Sequence, residues 1–259
     1  IGKDRSTISY NLNPFIEEER NKLILIKLNK FINNLKLKKL ENEELINIIR
    51  DFNKIYRDWP YDLNGSINYN SALHLYLFVK IVNPDEVIES GTYRGFSSYI
   101  IDHASKEDAL IHCFDLNLKN LKYKSKKAIY YENDIMDQKI KFSGATKLAF
   151  FDDHCDHFSR LIFSKKNNIK YCVFDDDVSY FNIHSDGTPP LPSLNMMINN
   201  NNDYGEIEWM CNGRLGKLNF SKKLILDKDN YIYFTPEDLF YLTGIKPSSI
   251  TSFLIHKEF

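Results

Sequence analysis

The stretch Val87-Ile88-Glu89-Ser90-Gly91-Thr92-Tyr93-Arg94-Gly95-Phe96-Ser97-Ser98 decides how this chain is read. An apolar strand runs into a turn with two glycines four residues apart, and a helix starts directly behind it. In open α/β sheets, ligands bind beyond the carboxyl ends of the strands, beside a helix N-terminus. Gly91 lets the backbone turn tightly, and Gly95 lets the helix approach sheet or ligand closely.

The same rhythm continues outward. Short apolar segments at Glu86–Ser90, Ala109–Phe114, Ala128–Glu132, Lys147–Asp152 and Lys170–Asp175 read as strands. Phe96–Ser105, Leu118–Lys126 and Cys155–Lys166 read as helices between them. Near-continuous apolar strands alternating with helices predict a mainly parallel sheet covered on both faces, a Rossmann-like, doubly wound α/β fold. Upstream, Ile24, Leu28, Phe31 and Leu35, then Leu45, Ile48, Ile49 and Phe52, recur at helical spacing. Ser71–Val82 reads as a further helix, capped by Ser71 and stopped before Pro84. Residues 1–82 are therefore expected to form an N-terminal helical extension, and residues 83–259 the ligand-binding domain. Toward the C-terminus, Ser193–Asn200 and a segment opened by Thr235-Pro236 read as short helices, and Asn199–Asp203 as a loop. Leu224–Leu226, Tyr231–Phe234 and Ser252–His256 read as strands. Asn212–Lys217 is glycine-rich but lacks the context and spacing of a phosphate loop.

Asp115 closes the second strand, where a carboxylate accepts hydrogen bonds from both hydroxyls of a ribose. Tyr93 fills the position that a dinucleotide fingerprint gives to its middle glycine. That substitution favours a ligand with a ribose and no diphosphate. The stretch Glu89-x-Gly91-x-Tyr93-x-Gly95-Phe96-Ser97 resembles the first motif of catechol-type, metal-dependent O-methyltransferases, which are class I S-adenosylmethionine (SAM) enzymes. Sugar-, macrolide- and cephalosporin-tailoring methyltransferases carry similar versions. By that resemblance Glu89, Gly91, Thr92 and Tyr93 lie along the methionine end of SAM, Ser97 helps hold it, and Asp115 takes the ribose. Asn133-Asp134 stands where the family contacts adenine, with Asp134 the expected partner.

Two strand exits carry acids: Asp152-Asp153-His154 and Asp175-Asp176-Asp177. Parallel neighbours place both clusters on one rim, where crowded carboxylates repel unless a cation joins them. A hard divalent ion such as Mg²⁺ suits oxygen ligands. The resemblance implies a metal held by an Asp after the fourth strand and an acid pair after the fifth. It maps the pair to Asp176 and Asp177 and the third ligand to Asp153, with Asp152 a catalytic or substrate-facing group. Asp153 also reads as an N-cap for the following helix. The catechol-type enzymes use a lysine base just after this strand, and no lysine occurs from Asp152 through Leu161. His154 or His157 is the expected base instead. Alternatively, His154 and His157 at i, i+3 hold zinc or iron for a hydrolase or hydroxylase, or the chain is a non-catalytic module that keeps the fold. The Pro-dense segment His184–Pro192 is expected over the substrate end, as lid or connector.

The expected activity is therefore SAM-dependent, Mg²⁺-assisted O-methylation of a hydroxyl on a sugar, glycan or small polyhydroxylated metabolite. Composition agrees with a packed enzyme: of 259 residues 43% are hydrophobic and 14% aromatic, enough for a sizeable core. A net charge of -1 argues against a nucleic-acid binder. Apolar runs fall far short of the ~20 residues a membrane span needs. The four cysteines show no CxxC pair; they read as free thiols, so a cytoplasmic protein is expected. A homo-oligomer is compatible with these features. The lysines of the first helices (Lys27, Lys30, Lys36, Lys38 and Lys39) read as a solvated face.

Overall fold

The computed structural model describes residues 14–137, 139–179, 190–199, 206–211, 214–219, 226–245 and 249–258. Three helices come first: α1 (Pro14–Asn34), α2 (Asn42–Asp58) and α3 (Tyr69–Val82). Then follow β1 (Glu86–Ser90), α4 (Phe96–Ala104), β2 (Leu110–Asp115), β3 (Ala128–Glu132), β4 (Lys147–Phe151), α5 (His157–Lys166) and β5 (Tyr171–Phe174). The remainder comprises α6 (Leu194–Asn199), β6 (Glu206–Cys211), β7 (Arg214–Asn219), β8 (Tyr231–Phe234), α7 (Phe240–Thr243) and β9 (Ser252–His256).

Seven strands form one sheet in the order β3-β2-β1-β4-β5-β9-β8, and β6 and β7 form a separate hairpin. Strands β1 to β5 are parallel, whereas β9 runs antiparallel to β5 and β8 antiparallel to β9. The strand order reverses at the β1/β4 boundary. There the two following loops leave in opposite directions and open a crevice beyond the carboxyl ends. Ser90 pairs with Phe114 of β2 and Phe151 of β4, which fixes in register the exits that carry the acids.

Helix α3 sits against the centre of one face, with Leu73, Leu75, Leu77, Phe78 and Val79 wholly buried. Phe253 of β9 meets Phe31 of α1 with ring centroids 4.8 Å apart and Phe78 of α3 at 5.1 Å. The N-terminal helices thus share one core with the sheet. The opposite face packs Ile88, Phe151, Phe174 and Leu254 against Leu161 and Met197. Truncating an aromatic such as Phe253 in this setting costs about 3–5 kcal/mol. No helix among the described residues is long and apolar enough to cross a membrane.

Several local expectations change. Leu118–Lys126 makes only a 3-10 turn at Leu118–Asn120; its four lysines leave too few apolar side chains to bury. The backbone N–H of Lys122 donates to the Arg94 carbonyl at 3.0 Å instead. Helix α3 starts two residues early, because Asn68 rather than Ser71 is the cap: its side chain accepts from Ser71 N–H at 3.1 Å. Helix α5 is capped by Asp156, which accepts from Ser159 N–H at 2.8 Å, so it begins at His157 and Asp153 is not its cap. Thr235–Leu239 is irregular because Glu237 is drawn to Lys27 and Lys30 of α1. Two of the lysines read as a solvated face therefore have an ion-pair partner. Arg214–Asn219 lies in β7, paired with β6. Leu226 is outside any strand, and residues 200–203, 212–213 and 224–225 fall outside the described residues.

Candidate active site

The site is built where the exits of β1 and β4 cross. Asp152 N–H donates to the Ser90 carbonyl at 2.8 Å, and Gly91 N–H donates to the Phe114 carbonyl at 2.9 Å. Gly91 has φ +93°, and a Cβ there would overlap the Asp152 carbonyl and lie 2.8 Å from Asp153 N. Only glycine lets these two backbones meet. Thr92 is buried and its Oγ1 donates to the Phe114 carbonyl at 3.2 Å. Gly95, at φ +87°, is the N-cap of α4, and its missing Cβ leaves room for the Tyr123 carbonyl.

Between these glycines Tyr93 adopts φ +45° and swings its ring outward, over Gly65 of the α2–α3 loop. An ion pair between Arg94 and Asp62 ties that loop to the turn. The Tyr93 N–H donates to Asp115 Oδ2 at 2.7 Å, and Asn117 N–H donates to Asp115 Oδ1 at 2.9 Å. Asp115 thus holds the glycine turn while its carboxylate edge faces a cleft of ≈ 330 Å³. Gly91, Tyr93, Asp115, Asn133, Asp152 and His154 line that cleft. Ser97 is buried in the first turn of α4 and lines a small adjoining pocket with Gly91 and Asp152.

Glu89 does not line the cleft. It is fully buried behind the turn, where Ser98 Oγ donates to its Oε2. Burial pushes its carboxyl above the usual range, against hydrogen bonds from Ser97, Ser98 and Cys113. Its other oxygen, Oε1, is buried with no hydrogen-bond partner among the described residues.

The acids divide sharply. Asp152, His154 and Asp176 bring one ligand atom each within 4.8 Å of one another. His154 Nδ1 lies 3.3 Å from Asp176 Oδ2, with the ring about half exposed. That carboxylate holds the imidazole above its ordinary value, against partial burial. Asp152 is pushed well above the usual carboxylate range by burial and then by Asp175, Asp176 and Asp153. Two carboxylates in this crowding, with the imidazole beside them, fit a divalent cation such as Mg²⁺.

Other expected ligands are committed elsewhere. Asp153 accepts from Arg160 Nε at 2.8 Å, from Cys155 N–H at 3.1 Å and from Ser90 Oγ. Its charge is met by the arginine, so it does not join the cation cluster. Asp177 is fully buried, accepting from Tyr233 Oη at 2.7 Å and from Asn195 N–H at 2.6 Å; it ties β8 and α6 to the β5 exit. His157 is also buried: its Nδ1 accepts from Leu194 N–H at 3.0 Å, and its Nε2 lies 3.1 Å from the Asp175 carbonyl. With both nitrogens engaged it is neither a base nor a partner for His154 in a two-histidine site. Asp175 is buried against Ser249 and Thr251, and burial plus Asp176 push its carboxyl up to about 7.

Asp134 differs from expectation as well. Arg160 Nη1 and Nη2 donate to its Oδ1 and Oδ2 at 3.1 and 2.8 Å, and Met136 N–H donates to Oδ1 at 2.7 Å. Burial pushes its carboxyl up, but the arginine and the backbone bond outweigh this and hold it low. Both of its oxygens are thus engaged by the arginine, while Asp134 still lines the cleft. Asn133, whose buried Oδ1 has no hydrogen-bond partner among the described residues, offers the open acceptor on that wall. Sequence reasoning also missed Arg160, since an arginine inside an amphipathic helix carries no local signal of burial. Residues 184–189 of the Pro-dense segment lie outside the described residues.

Strand order, glycine turn and an acid at the β2 exit together define a class I SAM-dependent methyltransferase fold. The O-methyltransferase family model matches residues 43–185. The chain belongs to that O-methyltransferase family. No protein of curated function matches it in sequence. Solved structures with the same architecture are only distantly similar. CmcI bound to magnesium and SAM is 14% identical over 39% of this chain and 49% of its own, with a TM-score of 0.33. The chain thus spans about half the length of that structure. TomG from Streptomyces achromogenes, involved in tomaymycin synthesis and solved with SAM, is 13% identical over 88% and 96% of the two chains, with a TM-score of 0.45. An O-methyltransferase from Bacillus cereus, in complex with SAH, is 10% identical over 89% and 97%, with a TM-score of 0.46.

Proposed function

We propose that the chain moves the methyl group of SAM to a hydroxyl of a small polyhydroxylated acceptor, a sugar being the preferred class, with a divalent cation at the acceptor side. The observation that carries this reading is the convergence of Asp152, His154 and Asp176 on the rim of the cleft that the Gly91 turn and Asp115 enclose.

In this reading Asp115 and the Tyr93 turn hold the ribose, and Asn133 Oδ1 accepts from the adenine amino group. Gly91 and Ser97 border the methionine end. Asp152 and Asp176 hold the cation; when bound, it lowers the pKa of an acceptor hydroxyl and orients it. His154, aligned by Asp176, stands on the solvent side of the pair and takes the hydroxyl proton. Attack on the sulfonium methyl needs in-line approach of the oxygen, so the rate depends on positioning by these side chains. Consistent with a cytoplasmic enzyme, Cys113, Cys155 and Cys172 are free thiols.

The test is calorimetric titration of SAM into metal-stripped protein, repeated with Mg²⁺ and with the Asp115→Ala variant. Micromolar binding that is lost in the variant supports the cofactor site and justifies a screen of hydroxyl acceptors. No heat at high micromolar SAM, with or without Mg²⁺, overturns the reading.

A further inference from the structure

Arg160 is the largest fully buried side chain among the described residues, 2% exposed on the inner face of α5. Its Nε donates to Asp153 at the β4 exit, and its two Nη atoms grip both oxygens of Asp134 beyond the β3 exit. These strands are not neighbours, since β2 and β1 lie between them in the sheet. At about 4.8 Å per strand, the two exits start roughly 14 Å apart. No direct β3–β4 ladder fixes the gap between the loops that follow, and those loops form two walls of the cleft. One guanidinium spans that gap, and its planar fork sets both distance and angle. On one side it leaves Asn133, with its unpartnered Oδ1, lining the cleft. On the other it occupies Asp153, so that only Asp152 of the two adjacent acids joins the cation cluster.

We infer that Arg160 is the positioning residue for the adenosine end of the cleft, holding the β3 and β4 exits at the spacing that the ligand requires. The inference rests on the SAM reading above. It predicts that loss of the fork weakens every ligand that carries the adenosine part, by a common factor. A lysine at 160 keeps the charge but grips as a single point, so it separates geometry from charge.

The experiment measures SAM, SAH and 5′-methylthioadenosine binding by calorimetry for wild type, Arg160→Lys and Asp134→Asn, with melting curves for each. Arg160→Lys is expected to weaken all three ligands tenfold or more by a common factor. Asp134→Asn keeps one acceptor oxygen for the fork and is expected to lose threefold to fivefold. If Arg160→Lys does not fold, the Asp134→Asn result decides alone. A folded Arg160→Lys that binds all three within twofold of wild type overturns the inference, as does a loss confined to SAM. Wild-type protein that binds none of the three counts against the methyltransferase reading itself, an outcome distinct from either of these.

Discussion

Replacing Gly91 by alanine tests the crossing on which the whole site depends. Two costs add. At φ +93° an L-residue is strained by about 1–2 kcal/mol. The new Cβ also overlaps the Asp152 carbonyl and approaches Asp153 N to 2.8 Å. Both neighbours are backbone, so no rotamer change relieves the overlap, and forced overpacking of this kind costs about 1–3 kcal/mol or more. The sum, roughly 2–5 kcal/mol, is a large share of the 5–15 kcal/mol that typically stabilises a domain. Gly244→Ala supplies the control. It has φ +73° and nothing within 4 Å of its Cβ, so it carries strain without collision. Urea unfolding of both variants gives the difference from the midpoints at a common m-value. Gly91→Ala should be the less stable by at least ~1 kcal/mol, and melting should fall by about 2–4 °C per kcal/mol. It should also lose SAM binding, because β1 and β4 can separate only by displacing Asp152 and the glycine turn. Equal stabilities for the two variants, or a Gly91→Ala protein that binds SAM normally, would refute the argument that these backbones need glycine to cross.

Other consequences can be checked separately. Manganese binding, read by electron paramagnetic resonance, should disappear in Asp152→Asn and Asp176→Asn but survive in Asp153→Asn; loss in a folded Asp153→Asn protein would contradict the division of the acids. Asp177→Asn should keep the ion yet lower stability by about 1–3 kcal/mol, since its new amide faces the buried donors Tyr233 Oη and Asn195 N–H. Acid should destabilise the fold through two histidines. Burial lowers His74 and His256 to about 4, so the unfolded chain takes up their protons first. Their contribution is complete above pH ~6.5 and is lost as pH falls from there through 4, at about 3 kcal/mol for each fully displaced imidazole. Unfolding free energies from pH 7.5 to 4.5 measure this slope, and His74→Gln should flatten it; an unchanged slope would place the proton uptake elsewhere.

Much of the scaffold was legible locally. Apolar runs such as Val87-Ile88 and Cys172-Val173-Phe174 report strands buried on both faces, and burial pattern is a property of the run itself. Glu86–Ser90, Ala128–Glu132, Tyr231–Phe234 and Ser252–His256 form strands as read. The two glycines and Asp115 were equally readable, because each answers a backbone or strand-end requirement encoded within a few residues. The Leu118–Lys126 segment was not, since its backbone partner, Arg94, comes from the β1 turn.

What the sequence determined by itself was the doubly wound sheet, the position of the ligand turn and the rim on which the acids gather. Tertiary structure decided which acids are available. His154 and Asp176 both take positive φ, at 56° and 53°, and these local reversals stand where the two side chains gather beside Asp152. Asp153 is claimed by an arginine on the next helix, Asp134 by the same arginine 26 residues away, and Asp177 by a tyrosine 56 residues away. A carboxylate's chemistry depends on the charge and donors within a few ångströms. When those come from distant segments, no pattern near the carboxylate in sequence records them; only the folded chain brings the partners together.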